Sequence, residues 1–502
     1  MKKTTPLLSR RRSGILMPIF SLPSPHGIGT FGKAAYDFVD FLEKAKQSYW
    51  QILPLGPTGY GDSPYQAYST FAGNPYFIDP EMLCEAGYLS IAECAGMDFS
   101  ANTEKIDYGK LYNSRFPLLH RALPRFLANK PLDFDSFCKK NAFWLKDYAL
   151  YMALKNENGG KPFMEWEMPL RLRKRAALKE AEVRLENEIN FWKMVQYLFF
   201  TQWGKLKAYA NKKGIAIIGD LPIYVSPDSS DVWAAPEQFE LDKERKLIRV
   251  AGCPPDAFTA DGQLWGNPLY RWDVMKEDGF SWWCRRMKAA ANLYDVVRLD
   301  HFRGFAGYYT IEAGRKNARK GAWEKGPGME LFSAMKAKLG EIDIIAEDLG
   351  FLTPDVYQLL SDSGYPGMKV LQFAFGNPKN ESEYLPHLYP KNCVAYVGTH
   401  DNETVLGWMK TANAVTKKQA TAYLRLNEKE GSNWGAMRAV LASPANTVIL
   451  QMQDLLGLGN EARINEPSTL GKNWTWRIKK ECINDWLADL IATDTATYFR
   501  AK

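Results

Sequence analysis

The sequence has no CxxC pair. Its seven cysteines, Cys84, Cys94, Cys138, Cys253, Cys284, Cys393 and Cys482, are scattered and odd in number, which argues against both a disulfide framework and a zinc site. There is no apolar run of membrane-spanning length, so no membrane association is expected. A dominant charge sign is also lacking: 64 Lys and Arg against 57 Asp and Glu leave +7 over 502 residues, far from the clustered basicity of nucleic-acid binders. The run Arg10, Arg11, Arg12 is too short to neutralise many phosphates and reads as solvated surface. Those arginines also interrupt the basic N-terminus, and neither an apolar core with a small-residue cleavage site nor a Ser-rich, acid-poor leader follows, so a cytoplasmic location is expected. No phosphate-cradling loop, Cys/His cluster or calcium-loop pattern is found, so neither cofactor nor metal is expected. GIGTFG at 27–32 precedes a strand instead of following one and reads as a turn and helix start.

What the chain has in quantity is aromatic side chains. Trp, Tyr and Phe make up 13% of it, within an otherwise ordinary 46% hydrophobic and 24% charged composition. Rings suit clefts that stack flat sugar faces, although core packing uses the same side chains.

Short apolar runs rich in β-branched residues and ending in Gly, Asp, Asn or Pro mark buried parallel strands that open into loops. Eight such runs occur, at 48–57, 74–80, 214–225, 294–304, 342–350, 368–376, 393–403 and 446–457. Amphipathic stretches of helical period separate most of them, which predicts an α/β fold: a (β/α)8 TIM barrel. The chain 1–502 reads as one catalytic barrel. A mainly helical insertion at 81–213 falls between the second and third strands and is expected to wall one side of the cleft. A smaller insertion at 226–293 falls between the third and fourth, with a hairpin turn at DKERK and a Pro/Gly-rich loop at 252–268. Too little follows the eighth run for a C-terminal β-sandwich.

Four of these runs end in carboxylates: Asp220 in GDLP, Asp300 in RLDHFRG, Glu347 in AEDLG and Asp401 in THDNE. Barrel strands end at one mouth, which gathers these acids around a single site. Any one of them alone is better read as a helix cap or an ion-paired loop acid; four together reverse the odds. Retaining glycoside chemistry needs an ionised carboxylate on one side of the glycosidic bond and a protonated carboxyl on the other, and Asp300 and Glu347 end neighbouring strands. Arg298, two residues before Asp300 on the same strand side, would keep that acid ionised. His301 and His400 adjoin two of the acids and suit sugar-hydroxyl contacts.

The segments Arg298-Leu-Asp300-His-Phe-Arg303-Gly, Ala346-Glu347-Asp-Leu-Gly350 and Gly398-Thr-His400-Asp401-Asn-Glu403 resemble the strand-end regions of the α-amylase superfamily. Further stretches run from Pro54 through Tyr60 and Ser63 to Tyr65, from Gly219 to Val225, from Pro254 through Asp256, Gln263 and Trp265 to Tyr270, and around Asn465 and Trp474. With these the whole chain is similar to the amylomaltase (disproportionating enzyme) family of 4-α-glucanotransferases. The resemblance implies Asp300 as nucleophile, Glu347 as general acid and base, and Asp401 as the group that holds sugar hydroxyls. It further implies substrate contacts from Tyr60, Ser63, Asp220, Asp256, Phe258, Gln263, Trp265, Arg298, His301, His400 and Asn465. The implied partners are α-1,4-glucans and maltooligosaccharides, with glucose as acceptor or product. Some relatives carry Tyr-Phe after Pro-Pro-Asp in a lid loop, where this chain has Ala257-Phe258, which implies a weaker grip on long glucan. The acids themselves do not choose between water and sugar as acceptor, so an α-glucan hydrolase is the nearest alternative. An inactive glucan-binding barrel is disfavoured by the intact trio.

Overall fold

The computed structural model describes residues 7–59, 61–100, 102–255, 260–350, 352–377 and 382–501. Twelve strands run along it: β1 (Arg12–Leu16), β2 (Tyr49–Gln51), β3 (Ala216–Leu221), β4 (Arg249–Cys253), β5 (Gln263–Pro268), β6 (Val296–Leu299), β7 (Gly307–Glu312), β8 (Ala322–Lys325), β9 (Ile344–Ala346), β10 (Gly367–Val370), β11 (Cys393–Tyr396) and β12 (Thr447–Gln451). Eight of them, β1, β2, β3, β6, β9, β10, β11 and β12, lie side by side in chain order, and their ladders are parallel. β9 meets β10 where Ala346 N–H donates to Pro366 O (2.9 Å) and Asp348 Oδ1 accepts from Met368 N (2.6 Å). The expected (β/α)8 barrel is therefore present. β5, β4, β7 and β8 form a separate antiparallel sheet beside the mouth, and the expected turn before it pairs Leu241 with Leu247.

Seven of the eight expected runs contain a barrel strand; the run at 74–80 does not. Pro75–Phe77 is a 3-10 helix whose cap, Asn74, accepts from Tyr76 N. Asp79 caps the next helix, Pro80–Glu85, by accepting from Met82 N. The Asn and Asp that resemble strand boundaries are helix caps, each followed by proline at the first helical position. The first barrel strand is β1, which begins at Arg12, the last residue of the arginine run. That run is not simple solvated surface either: Arg11 donates to the carbonyls of Tyr498, Ser443 and Leu441 at 2.7–2.9 Å, and Arg12 donates to Ala501 O. The guanidinium groups tie the chain's start to its end.

Every barrel strand contributes to an inner apolar cluster that includes Leu16, Tyr49, Ile218, Val296, Ile345, Met368, Val394 and Ile449, with Leu8 packed against it. This is the filled interior of a small closed barrel. Gly14 belongs there by necessity, because a Cβ would lie 2.5 Å from the Tyr49 Cβ and 2.9 Å from Ile449. Between β2 and β3 the chain is helical and ends in the long helix Glu186–Lys212, which leads directly into β3. Among the described residues no strand follows β12.

Candidate active site

The strand ends bring the acids together as their register dictates. β3 and β6 pair Asp220 with Arg298, and β6 and β9 pair Leu299 with Ala346, so Asp300 and Glu347 emerge side by side. Arg298 Nη1 reaches Asp220 Oδ2 at 2.6 Å and Asp300 Oδ1 at 3.1 Å; Arg298 and Asp220 are buried, whereas 27% of the Asp300 side chain faces the cleft. Tyr65 Oη donates to the same Asp220 oxygen (2.9 Å) and lies 2.8 Å from His400 Nε2, with the two rings stacked at 5.4 Å. The phenol's one proton goes to Asp220, so His400 donates from Nε2 to the Tyr65 oxygen.

Glu347 is fixed by main-chain donors. His301 sits in the left-handed region (φ 50°), which aims its N–H at Glu347 Oε2 (2.6 Å), and Leu349 N–H reaches Oε1 (3.2 Å). The His301 ring meets the edge of Trp265 at 4.8 Å, and Trp265 Nε1 donates to Gln263 Oε1 (3.0 Å). Across the mouth, Asn465 Nδ2 donates to Asp401 Oδ1 (2.6 Å). Arg463 joins the two loops by donating to the carbonyls of Asp401 and Asn465, both at 2.8 Å.

Burial pushes the Glu347 carboxyl up to about 8 and the Asp300 charge adds to the rise, against the opposing pull of Arg298 and the His301 N–H. Burial also raises Asp220 to about 7, with Arg298 and Tyr65 pulling the other way. Asp300 is raised by burial and by Asp401, and Arg298 holds it down. The charge of Asp401 therefore bears on Asp300, whereas the charges of Asp300 and Asp348 bear on Glu347. Burial lowers His400 and takes His301 down to about 3, so both rings are neutral donors or acceptors near pH 7.

A cleft of roughly 810 Å³ is lined by Ser63, Gln263, Trp265, Arg298, Asp300, His301, Glu347, Asp401 and Asn465. Asp220 and His400 lie just beneath it, joined through Tyr65. Tyr60, Asp256 and Phe258, with Ala257, fall outside the described residues. Tyr65, Tyr224, Asn267 and Trp474 also line the cleft and were not singled out individually, although each lies in a segment on which the resemblance rests. Lys316 and Asn317 line it too, from the connection between β7 and β8, where no motif marks them. No described residue of 81–213 lines this cleft; helices from that stretch border a neighbouring one of about 950 Å³ that shares Gly61, Leu470 and Gly471. Among the described residues, the His, Cys, Asp and Glu grouping compact enough for a metal is His26, Asp79 and Glu81, on a different cleft. No described helix is long and apolar enough to cross a membrane.

A parallel barrel that collects acids from separate strand ends into one cleft has the organisation of a barrel enzyme's active site. The family whose model matches residues 17–483 is described as 4-alpha-glucanotransferase. A 4-alpha-glucanotransferase of Clostridium butyricum is 50% identical over 97% of this chain and 100% of its own length, and one of Thermus thermophilus is 47% identical over 93% and 95%. The amylomaltase of Streptococcus agalactiae, solved in complex with acarbose, superposes with a TM-score of 0.96 at 41% identity, covering 98% of this chain and 100% of that one. The chain belongs to the 4-alpha-glucanotransferase family and is an enzyme of that kind.

Proposed function

We propose that the enzyme moves α-1,4-glucan segments between maltooligosaccharides by a retaining double displacement through a glycosyl intermediate on Asp300. The observation that carries this reading is the pairing of Asp300, held by Arg298 at 3.1 Å, with a Glu347 carboxyl pushed up to about 8 at the end of the adjacent strand. One acid is thereby kept as a nucleophile and the other as a proton donor. The Asp300 carboxylate attacks the anomeric carbon as Glu347 gives its proton to the departing glycosidic oxygen. Glu347, now ionised, then takes the proton of an acceptor hydroxyl that displaces Asp300. Asp401, aimed into the cleft by Asn465, holds sugar hydroxyls and favours positive character at the anomeric carbon. Ser63, Gln263, Trp265, His301 and Asn465 contact the glucan directly, Asp220 supports Asp300 through Arg298, and His400, with Nε2 3.4 Å from Asp401 Oδ1, supports Asp401. Tyr60, Asp256 and Phe258, which lie outside the described residues, are proposed as further substrate contacts, and Trp265 as a group that helps keep water from the intermediate. The acarbose complex of the Streptococcus agalactiae amylomaltase supports a glucan-shaped ligand here.

The test is incubation of the purified protein with maltotriose alone. Longer maltooligosaccharides together with glucose are expected; glucose and maltose alone would mean hydrolysis and sink the transfer reading. Asp300→Asn is expected to abolish turnover with the fold intact, and full activity in that variant would refute the nucleophile assignment.

A further inference from the structure

We propose that Cys84 and Cys94 form an oxidative modification site, in which a two-electron oxidant of the peroxide class joins the two thiols in a reversible disulfide. Their sulfurs lie 3.4 Å apart, and a disulfide requires about 2.05 Å, so closure takes a movement on the order of 1 Å, within reach of side-chain rotation. Cys84 stands at the end of the helix Pro80–Glu85 and Cys94 in the helix Ile91–Ala95, and the two helices pack together. The second helix is held in place by a capping box, with Ser90 and Glu93 exchanging hydrogen bonds, and Glu93 is also gripped by Arg125 at 2.9 and 3.1 Å. The sulfur contact therefore belongs to an anchored helix pair and not to a drifting loop. Both cysteines are partly exposed, so a small oxidant reaches them, and neither lines the substrate cleft.

The bland reading is a weak thiol contact with no chemistry. What separates the two readings is that proximity decides the fate of an oxidised cysteine: a sulfenic acid beside a second thiol condenses with it, whereas an isolated one proceeds to higher oxides. Burial and the adjacent Cys84 push the Cys94 thiol up to about 12, which makes Cys94 the resolving partner and Cys84 the sulfur that meets the oxidant. The Cys84 thiolate attacks a peroxide oxygen, the O–O bond breaks, and water leaves after protonation. The Cys94 sulfur then attacks the sulfenic sulfur, the S–O bond breaks, and the thiol proton departs with the hydroxide as a second water. Two thiols lose two electrons and one peroxide gains them.

The test uses the full-length protein, reduced, then exposed to a small excess of hydrogen peroxide, blocked with maleimide and peptide-mapped. The expected product links Cys84 to Cys94, about one per chain, with the mass of two hydrogens lost, and dithiothreitol reverses it. Cys84→Ser and Cys94→Ser each abolish the linked product, leave the remaining cysteine as sulfenic or sulfinic acid, and retain wild-type activity on maltotriose. Recovery of both cysteines as maleimide adducts, as separate oxides, or linked to other cysteines overturns the proposal.

Discussion

Replacing Glu347 with Gln should stabilise the fold, and increasingly so as the pH rises. The folded carboxyl is raised from its ordinary 4.5 to about 8, so its favourable neutral form is fully present below 4.5 and is lost as pH climbs through 8. The unfolded chain ionises Glu347 freely over that window, which draws the wild type toward unfolding; Gln does not titrate and escapes the loss. At pH 7 about 2.5 units of this linkage have been spent, worth about 3 kcal/mol at 1.36 kcal/mol per unit, and roughly half that once water in the open cleft is allowed for. At pH 5 the same reasoning leaves well under about 1 kcal/mol. In a chain this long 1 kcal/mol moves the melting temperature by about 1–2 °C. Calorimetry of both proteins at pH 5, 7 and 8 should show the Gln variant gaining on the wild type by a few degrees across the series, while maltotriose turnover collapses at every pH. A stability gap that stays flat or narrows with pH would refute the claim that the fold holds Glu347 neutral.

The same neutral carboxyl predicts that log kcat/KM on maltotriose falls with unit slope above pH 8, where Glu347 ionises, and a pH–rate profile checks it. Tyr65→Phe removes the bridge from Asp220 to His400; a hydrogen bond to a charged group is worth about 1.5–3 kcal/mol, so kcat/KM should drop about 10- to 100-fold in steady-state kinetics. Asn465→Ala frees an Asp401 side chain that is 43% exposed, where water replaces part of the lost bond, so a milder loss of roughly 5- to 30-fold is expected with an unchanged melting temperature. Gly219→Ala places a Cβ 2.1 Å from the Tyr294 ring, and overpacking of about 1–3 kcal/mol should appear as earlier thermal unfolding.

Legibility followed the range of the interactions. Asp220, Asp300, Glu347 and Asp401 could be read because a buried parallel strand is a short contiguous apolar run and its terminal acid stands beside it. β1 could not, because the arginines at its start are satisfied by carbonyls of Leu441, Ser443, Tyr498 and Ala501, contacts distant in the chain that no local pattern records. The 74–80 run shows the converse: Tyr76, Phe77 and Ile78 are strand-like in type, but the caps Asn74 and Asp79 and the prolines after them decide the backbone. Tyr65 carries no local signature, because its role lies in joining residues 155 and 335 positions away. The helices at 81–213 were legible as helices, but which cleft they border depends on packing.

Arg298 is the cation that the site's acids share, and this fixes which of them keeps a proton. It lies against Asp220 and Asp300, and one positive charge cannot hold those two and Glu347 all ionised in a partly dry cleft. Glu347 receives main-chain donors but no direct hydrogen bond from the cation, and it is pushed to about 8, above the roughly 7 of Asp220, so near pH 7 it is the acid that holds its proton most firmly. A second cation placed beside it should undo the arrangement. Leu349 lines the cleft with its N–H 3.2 Å from Glu347 Oε1, so Leu349→Lys puts an ammonium within reach of that carboxyl. A positive charge at such range lowers a carboxyl by about 1–3 units, and the alkaline limb of the pH–rate profile should move from near 8 toward neutrality. Leu349→Met, of similar volume and no charge, should leave the limb where it is. If both variants show the wild-type limb, the alkaline ionisation belongs to another group and Glu347 is not the proton donor; if both move it alike, packing and not charge sets its position.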